Sequence, residues 1–298
     1  MTKFLARIIY FLFILLVLNG IFWFTANKLY FKNYHNYSTQ FNAYLLADSH
    51  GLPLKQLTEK YGVYNFSGGG DSFVDIKRKI LFLLSKTTVK TIYLTVDDHT
   101  LSQYREKLNN SDRSLFFVTP KSCNNYYQYL KLRYVKYNLI FFQPGTRTVL
   151  KHYITTKINR FIFNDVNRNS VSVNKTWSDF SAEERKERAK RRKQRQYPSP
   201  HKSIKLNQSF KDIINICINN NIELVGVKFP LSSDYIKITK NIINYDAGNI
   251  LKLYGFRVLN FKKVFIHQNM FFNNQDHLNE KGAQMFVKIL FKNLKILK

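Results

Sequence analysis

Apolar positions along the chain fall into three regimes. From Ile8 to Asn27 no charged residue interrupts the run, a length close to the roughly 20 residues that cross a bilayer as a helix. Trp23 and Phe24 stand near its far edge, where interfacial aromatics gather. Thr25-Ala26-Asn27 makes a poor cleavage site, so the run reads as an uncleaved anchor over residues 1–29. Lys3 and Arg7 before it are opposed by Lys28 and Lys32 after it. The α-amino group tips the balance toward N-inside, with the body outside the cytoplasm, on the periplasmic or cell-surface side.

Past a Tyr/Asn-rich linker at residues 30–40, continuous apolar runs alternate with helical spacing. Ala43–Ala47 has the pattern of a buried strand. A helix from about Leu52 to Lys60 ends at Gly62. Val63–Ser67 is a second strand, broken by Gly68-Gly69-Gly70, and Asp71 or Ser72 caps a helix that buries Phe73, Ile76, Ile80 and Leu83/Leu84. Lys90–Val96 is a third strand and runs into Asp97-Asp98-His99.

The rhythm returns at Ser209 with a helix over Phe210–Asn219 and a strand over Ile222–Phe229. A helical segment from about Asp234 to Tyr254, broken near Asp246-Ala247-Gly248, precedes a fifth strand at Phe256–Asn260. The last helix, Glu280–Leu294, buries Phe286, Ile289, Leu290 and Leu294. Strands alternating with helices predict a doubly wound parallel sheet in a domain spanning 41–298.

Between these halves, residues 105–205 break the pattern and form an α-rich basic insertion. Ser181-Ala182-Glu183-Glu184 has the form of a capping box and opens a basic helix, Arg185 to Arg195, which Tyr197-Pro198-Ser199-Pro200 stops. Its charge run reads first as a solvated face and second as a contact for phosphate or lipid headgroups.

Composition narrows the picture. The 298 residues include 26 Phe and 19 Tyr, enough for a sizeable core, which argues against global disorder. A formal charge of +28 implies an anionic partner or surface. The membrane span and the lack of a nucleic-acid module argue against nucleic acid. Cys123 and Cys217 provide no disulfide framework, and Cys217 falls on the apolar face of a helix.

Two loops carry candidate chemistry. Asp48-Ser49-His50-Gly51 breaks off the first strand, where open α/β sheets place their reactive groups. Asn274-Gln275-Asp276-His277 precedes the last helix and offers an imidazole. Asp48, His50, Asp97, Asp98 and His99 have metal-ligand side chains but no ordinary metal spacing, so no metal is assigned. Gly68-Gly69-Gly70 lacks the Lys-Ser/Thr of a phosphate loop and the glycine spacing of a dinucleotide site.

In order along the chain, these blocks resemble the SGNH (GDSL-like) hydrolases. Ala47-Asp48-Ser49 matches that family's Gly-Asp-Ser with Ala for Gly; Asn65-Phe66-Ser67-Gly68-Gly69-Gly70 matches its glycine-containing second block. Val96-Asp97-Asp98-His99 stands where the family has Gly-x-Asn-Asp, and Asn274-Gln275-Asp276-His277 stands where it has Asp-x-x-His, followed by Leu278-Asn279 and Gly282-Ala283. The resemblance covers about 43–99 and 221–294.

It implies a flavodoxin-like three-layer α/β/α fold with about five parallel strands and no cofactor. Ser49 would be the nucleophile and His277 the general base, with the Ser49 and Gly70 N–H groups, or Gly69 in the alternative register, facing the oxyanion. Asp48 would hold the turn. Asn274 stands in the carboxylate's place, with Asp276 as a substitute if the loop is rearranged. In the third block an ionised Asp98 would repel the oxyanion, whereas His99 would stabilise it. By analogy the chain is a membrane-anchored esterase or O-acyltransferase acting on an envelope polysaccharide or other anionic polymer, with a membrane-bound acyltransferase as partner. The alternative is a catalytically impaired scaffold that binds such a polymer or assists assembly.

Overall fold

The computed structural model describes residues 2–136, 151, 154–155, 175–242 and 245–295. The chain divides into two units, Met1–Tyr37 with Asp112–Val173 and Ser38–Ser111 with Asn174–Lys298. Much of the expected insertion, residues 137–150, 152–153 and 156–174, lies outside the described residues, as does the side chain of Leu294.

In the first unit, α1 (Thr2–Thr25) belongs to an apolar span, Lys3–Lys28, with a mean hydropathy of 2.3 and almost no burial. It has the length and apolarity of a membrane anchor or of a signal sequence. A π turn, Ala26–Tyr30, continues it. Aromatic contacts then join its exit to the 3-10 segment Arg113–Phe117, with Phe31 5.9 Å from Phe116 and Tyr34 5.5 Å from Phe117 between ring centroids.

The second unit contains a five-stranded sheet: β1 (Ala43–Leu46), β2 (Val63–Asn65), β3 (Thr91–Thr95), β4 (Glu223–Lys228) and β5 (Val258–Asn260). Their order is β2-β1-β3-β4-β5 and every pairing is parallel. Parallel neighbours need crossovers, and α2 (Phe73–Leu84), α3 (Gln103–Lys107), α4 (Ala182–Gln196), α5 (Ile204–Asn219), α6 (Ser233–Thr239) and α7 (Ala247–Leu253) lie between the strands. A two-stranded antiparallel ribbon, β6 (Phe272–Asn274) and β7 (His277–Leu278), feeds α8 (Glu280–Lys295). The order reverses between β1 and β3, so their carboxyl ends flank the crevice where doubly wound sheets bind ligands.

Apolar side chains on both faces of β1 are buried, as its continuous hydrophobic run requires. Leu45 and Ala47 join a cluster with Val227, Phe229, Phe272 and the α8 residues Ala283, Phe286, Val287 and Leu290. Elsewhere α2 packs on α5, where Phe73 and Phe210 stack with centroids 4.5 Å apart. Cys217 is buried in α5, and burial pushes its thiol up to about 12.

Two expected elements differ and a third is resolved in detail. The segment after β1 is a run of 3-10 turns, Leu52–Tyr61, rather than an α-helix. Its backbone breaks at Lys55 (φ 43°, ψ −130°), and Asn65 Nδ2 donates to the Lys55 carbonyl at 3.1 Å, a bond that an unbroken helix would not leave open. The segment expected from Asp234 to Tyr254 does break near Asp246, which caps α7 by accepting from the Asn249 N–H at 3.1 Å. His277, expected in a loop, stands in β7.

Gly282 sits where α8 starts against the ribbon, and a Cβ there would overlap the Phe271 carbonyl oxygen. Backbone cannot yield as a side chain does. Gly282→Ala should therefore cost about 1–3 kcal/mol, read as a lower denaturation midpoint with an unchanged slope.

Candidate functional site

Backbone closure at the end of β1 shapes the first loop. Ala47 N–H donates to Ser67 Oγ at 3.1 Å, its carbonyl accepts from Gly68 N–H at 3.0 Å, and Gly51 N–H returns to the Asp48 carbonyl at 3.1 Å. A Cβ on Gly51 would collide with Ser67, so only glycine allows this close approach. Ser49 is held half-buried at the turn's apex while Asp48 and His50 on either side point inward and are buried.

The ribbon supplies the second loop. Its register shifts between Phe272 and Asn274, and Asn274 Oδ1 accepts from Asp276 N–H at 3.1 Å, closing an Asx turn. That turn folds Asp276 back toward its neighbour, so both Asp276 Oδ1 (2.9 Å) and Asn274 Oδ1 (3.0 Å) face His277 Nδ1. Both are acceptors, so Nδ1 carries the proton and the neutral ring presents the lone pair of Nε2. Ser49 Oγ lies 2.8 Å from that Nε2. A hydroxyl, an imidazole and a carboxylate thus form one hydrogen-bonded line across 228 residues of sequence separation.

Buried charge surrounds this line. Asp276 Oδ2 accepts from Arg192 Nε at 2.8 Å and from Gln196 Nε2 at 3.0 Å, both on α4. Burial pushes the Asp276 carboxyl up, but His277, His50 and Arg192 together hold it well below the usual range. Asp48 does hold the turn, through the His50 N–H at 3.0 Å, and its other oxygen receives Arg105 Nη2 at 2.6 Å and His99 Nε2 at 2.8 Å. Burial again opposes its ionisation, and His50, Arg105 and His99 outweigh it, so the Asp48 carboxyl is also held well down. Burial lowers His99 as well.

The third block has other partners than the oxyanion. Asp98 is neutralised by Lys228 Nζ at 3.0 Å and by Lys262 Nζ, and His99 Nε2 is committed to Asp48. Gly70 has φ 91°, a conformation suited to glycine. Asn110, unremarked in the sequence, donates from Nδ2 to the Gly69 carbonyl at 2.8 Å and to Asp71 Oδ1 at 2.7 Å. Both its amide hydrogens are used in holding the glycine loop.

Arg105, Arg192 and Gln196 also went unread, because they lie in the basic stretch. One signal was present. Ala189 is the only apolar residue of α4 outside its first position, and with Arg192 and Gln196 it marks one side of the helix at spacings of three and four. Ala189 and Gln196 are fully buried.

Among the described residues two trios have the composition of a metal site: Asp48, His50 and His99, and His50, Asp276 and His277. In each, the carboxylate already faces a guanidinium, Arg105 or Arg192. The donor set is therefore matched to fixed side-chain cations. Comparison with known proteins adds no assignment: no family model matches the chain, and no curated protein matches it.

Acid should expose the cost of this network. Asp48 and Asp276 have folded-state pKa values below the ordinary 3.8, so their contribution is complete above that value and is lost as pH falls through the depressed ones. Thermal midpoints measured from pH 7 down to 2 should drop steeply below pH 4, and Asp48→Asn should flatten that drop while lowering stability at pH 7.

Proposed function

We propose that the chain is a membrane-anchored SGNH-like serine esterase or O-acyltransferase, with its body outside the cytoplasm. In this reading the parallel sheet is the middle of three α/β/α layers. One observation carries it: Ser49 Oγ lies 2.8 Å from His277 Nε2, while Nδ1 of the same ring faces a buried carboxylate. That is the arrangement required to activate a hydroxyl and stabilise the imidazolium it creates. The three blocks at the ends of β1, β2 and β3 and the fourth in the ribbon before α8 add fold-level analogy.

The chemistry follows from the partners. His277 Nε2 removes the Ser49 proton as Oγ adds to an acyl carbonyl, and charge gathers on the carbonyl oxygen. Backbone N–H groups of Ser49 and Gly70 are the donors assigned to it, since Asn110 has no amide hydrogen to spare. The imidazolium then gives its proton to the leaving alkoxide, leaving acyl-Ser49. A water or an acceptor hydroxyl next loses its proton to His277 and attacks the acyl group, restoring the serine. Asp276 stays ionised throughout and holds the tautomer.

An anionic envelope polysaccharide suits the surroundings as acceptor. Lys186, Lys190 and Lys193 on α4, outnumbering one acid, Glu187, line an open cavity of about 530 Å³ with Gln194, Tyr197 and Ile238. A membrane-embedded acyltransferase would be the donor partner of an anchored protein.

A fluorophosphonate probe should label Ser49 in the full chain, and Ser49→Ala and His277→Ala should each abolish labelling and acyl-ester cleavage without unfolding. Failure to label folded wild type would favour the scaffold reading, in which the cationic surface only binds polymer. The orienting group is separable too. Asp276→Asn should lower kcat by about 10⁴, whereas Asn274→Ala, which opens the Asx turn but leaves Asp276 held by Arg192 and Gln196, should cost less. The reverse ranking would make Asn274 the orienter.

A further inference from the structure

His50 follows the proposed nucleophile and is almost fully buried. Its Nδ1 lies 2.6 Å from Asp97 Oδ2. Asp97 is held in turn by the Phe229 N–H on Oδ1 at 2.8 Å and the Thr95 hydroxyl on Oδ2 at 3.2 Å, so Nδ1 must donate. This fixes the ring and aims its other nitrogen. Among the described residues Nε2 has no hydrogen-bond partner, and 3.8 Å away stands Asp276 Oδ2.

A bare lone pair facing a carboxylate in a buried site is repulsive. An N–H in the same place is attractive, so the surroundings select the charged ring. From the ring's own loop the facing group is Asp48, itself paired with Arg105; from the end of β3 they are Asp97 and His99, whose ring centroid is 5.0 Å away. From the ribbon they are Asp276, paired with Arg192, and His277 at 5.0 Å between centroids. Asp97 and Asp276 face the two ring nitrogens, and Asp48 acts on the ring through its charge.

We infer that His50 is a positioning residue: its Nε2–H draws on Asp276 Oδ2 and so keeps Oδ1 turned to the His277 ring. This rests on the proposed hydrolase reading for its catalytic consequence but not for its geometry. Consistent with it, His50 is raised to about 10, because the attraction of Asp48, Asp97 and Asp276 outweighs burial. The sign follows: the stabilising charge is complete below the ordinary 6.5 and is lost as pH rises through about 10.

The test uses the full chain in detergent micelles with ¹⁵N-labelled histidine. Both His50 nitrogens, assigned by their loss in His50→Gln, should stay protonated to beyond pH 9. The downfield proton of the His277 Nδ1–H bond should shift or broaden in His50→Gln. Should His50→Gln not fold, Asp97→Asn serves instead and should lower the pH at which His50 loses its proton. A neutral His50 at pH 8, or an unmoved His277 proton in the variant, overturns the inference. So does Zn²⁺ that saturably displaces the Nε2 proton, which would make His50 a metal ligand. If Ser49 is not labelled at all, the hydrolase reading fails, and the two resonance measurements still decide the role of His50.

Discussion

Asp276 keeps a negative charge inside the protein, and the geometry of the Ser49–His277 pair follows from how that charge is compensated. An isolated buried carboxylate would take up a proton. Here Oδ1 faces His277, while Arg192, Gln196 and His50 gather at Oδ2. With one oxygen tied to α4 the other has a fixed direction. The serine–histidine contact inherits its precision from that constraint.

Charge balance extends the same logic outward. Asp48, Asp97 and Asp276 are all buried, and Arg105, His50 and Arg192 stand against them. In a chain carrying a formal +28, anions are the scarcer partner, and here three of the 19 acidic residues are buried around one hydroxyl. Such a set is costly to break, because removing one member leaves another buried and unpaired. It is also rigid, which is what a pre-organised site requires.

The excursion between β3 and β4 belongs partly to this site. Arg105 lies in α3, and Arg192 and Gln196 lie in α4, so two helices outside the βα rhythm supply donors to carboxylates at the sheet edge. The side of α4 bearing Lys186, Lys190 and Lys193 remains open as a cavity wall. One helix thus has a structural side and a basic one.

The sequence by itself determined the strands, most helices and the apolar span, because burial imposes periods of two and 3.6 that composition can display. It also marked Ser49 and His277, since each stands in a polar loop at the end of a strand or ahead of a helix. Which carboxylate faces His277 was decided only in three dimensions. Asn274 occupies the expected position, but an Asx turn and a shift of ribbon register bring Asp276 onto the ring as well. The roles of Arg105, Arg192 and His50 were illegible for the same reason. Charge pairing between residues far apart in the chain leaves no period in the sequence; it exists only once the backbone has brought a cation within hydrogen-bonding distance of a buried anion.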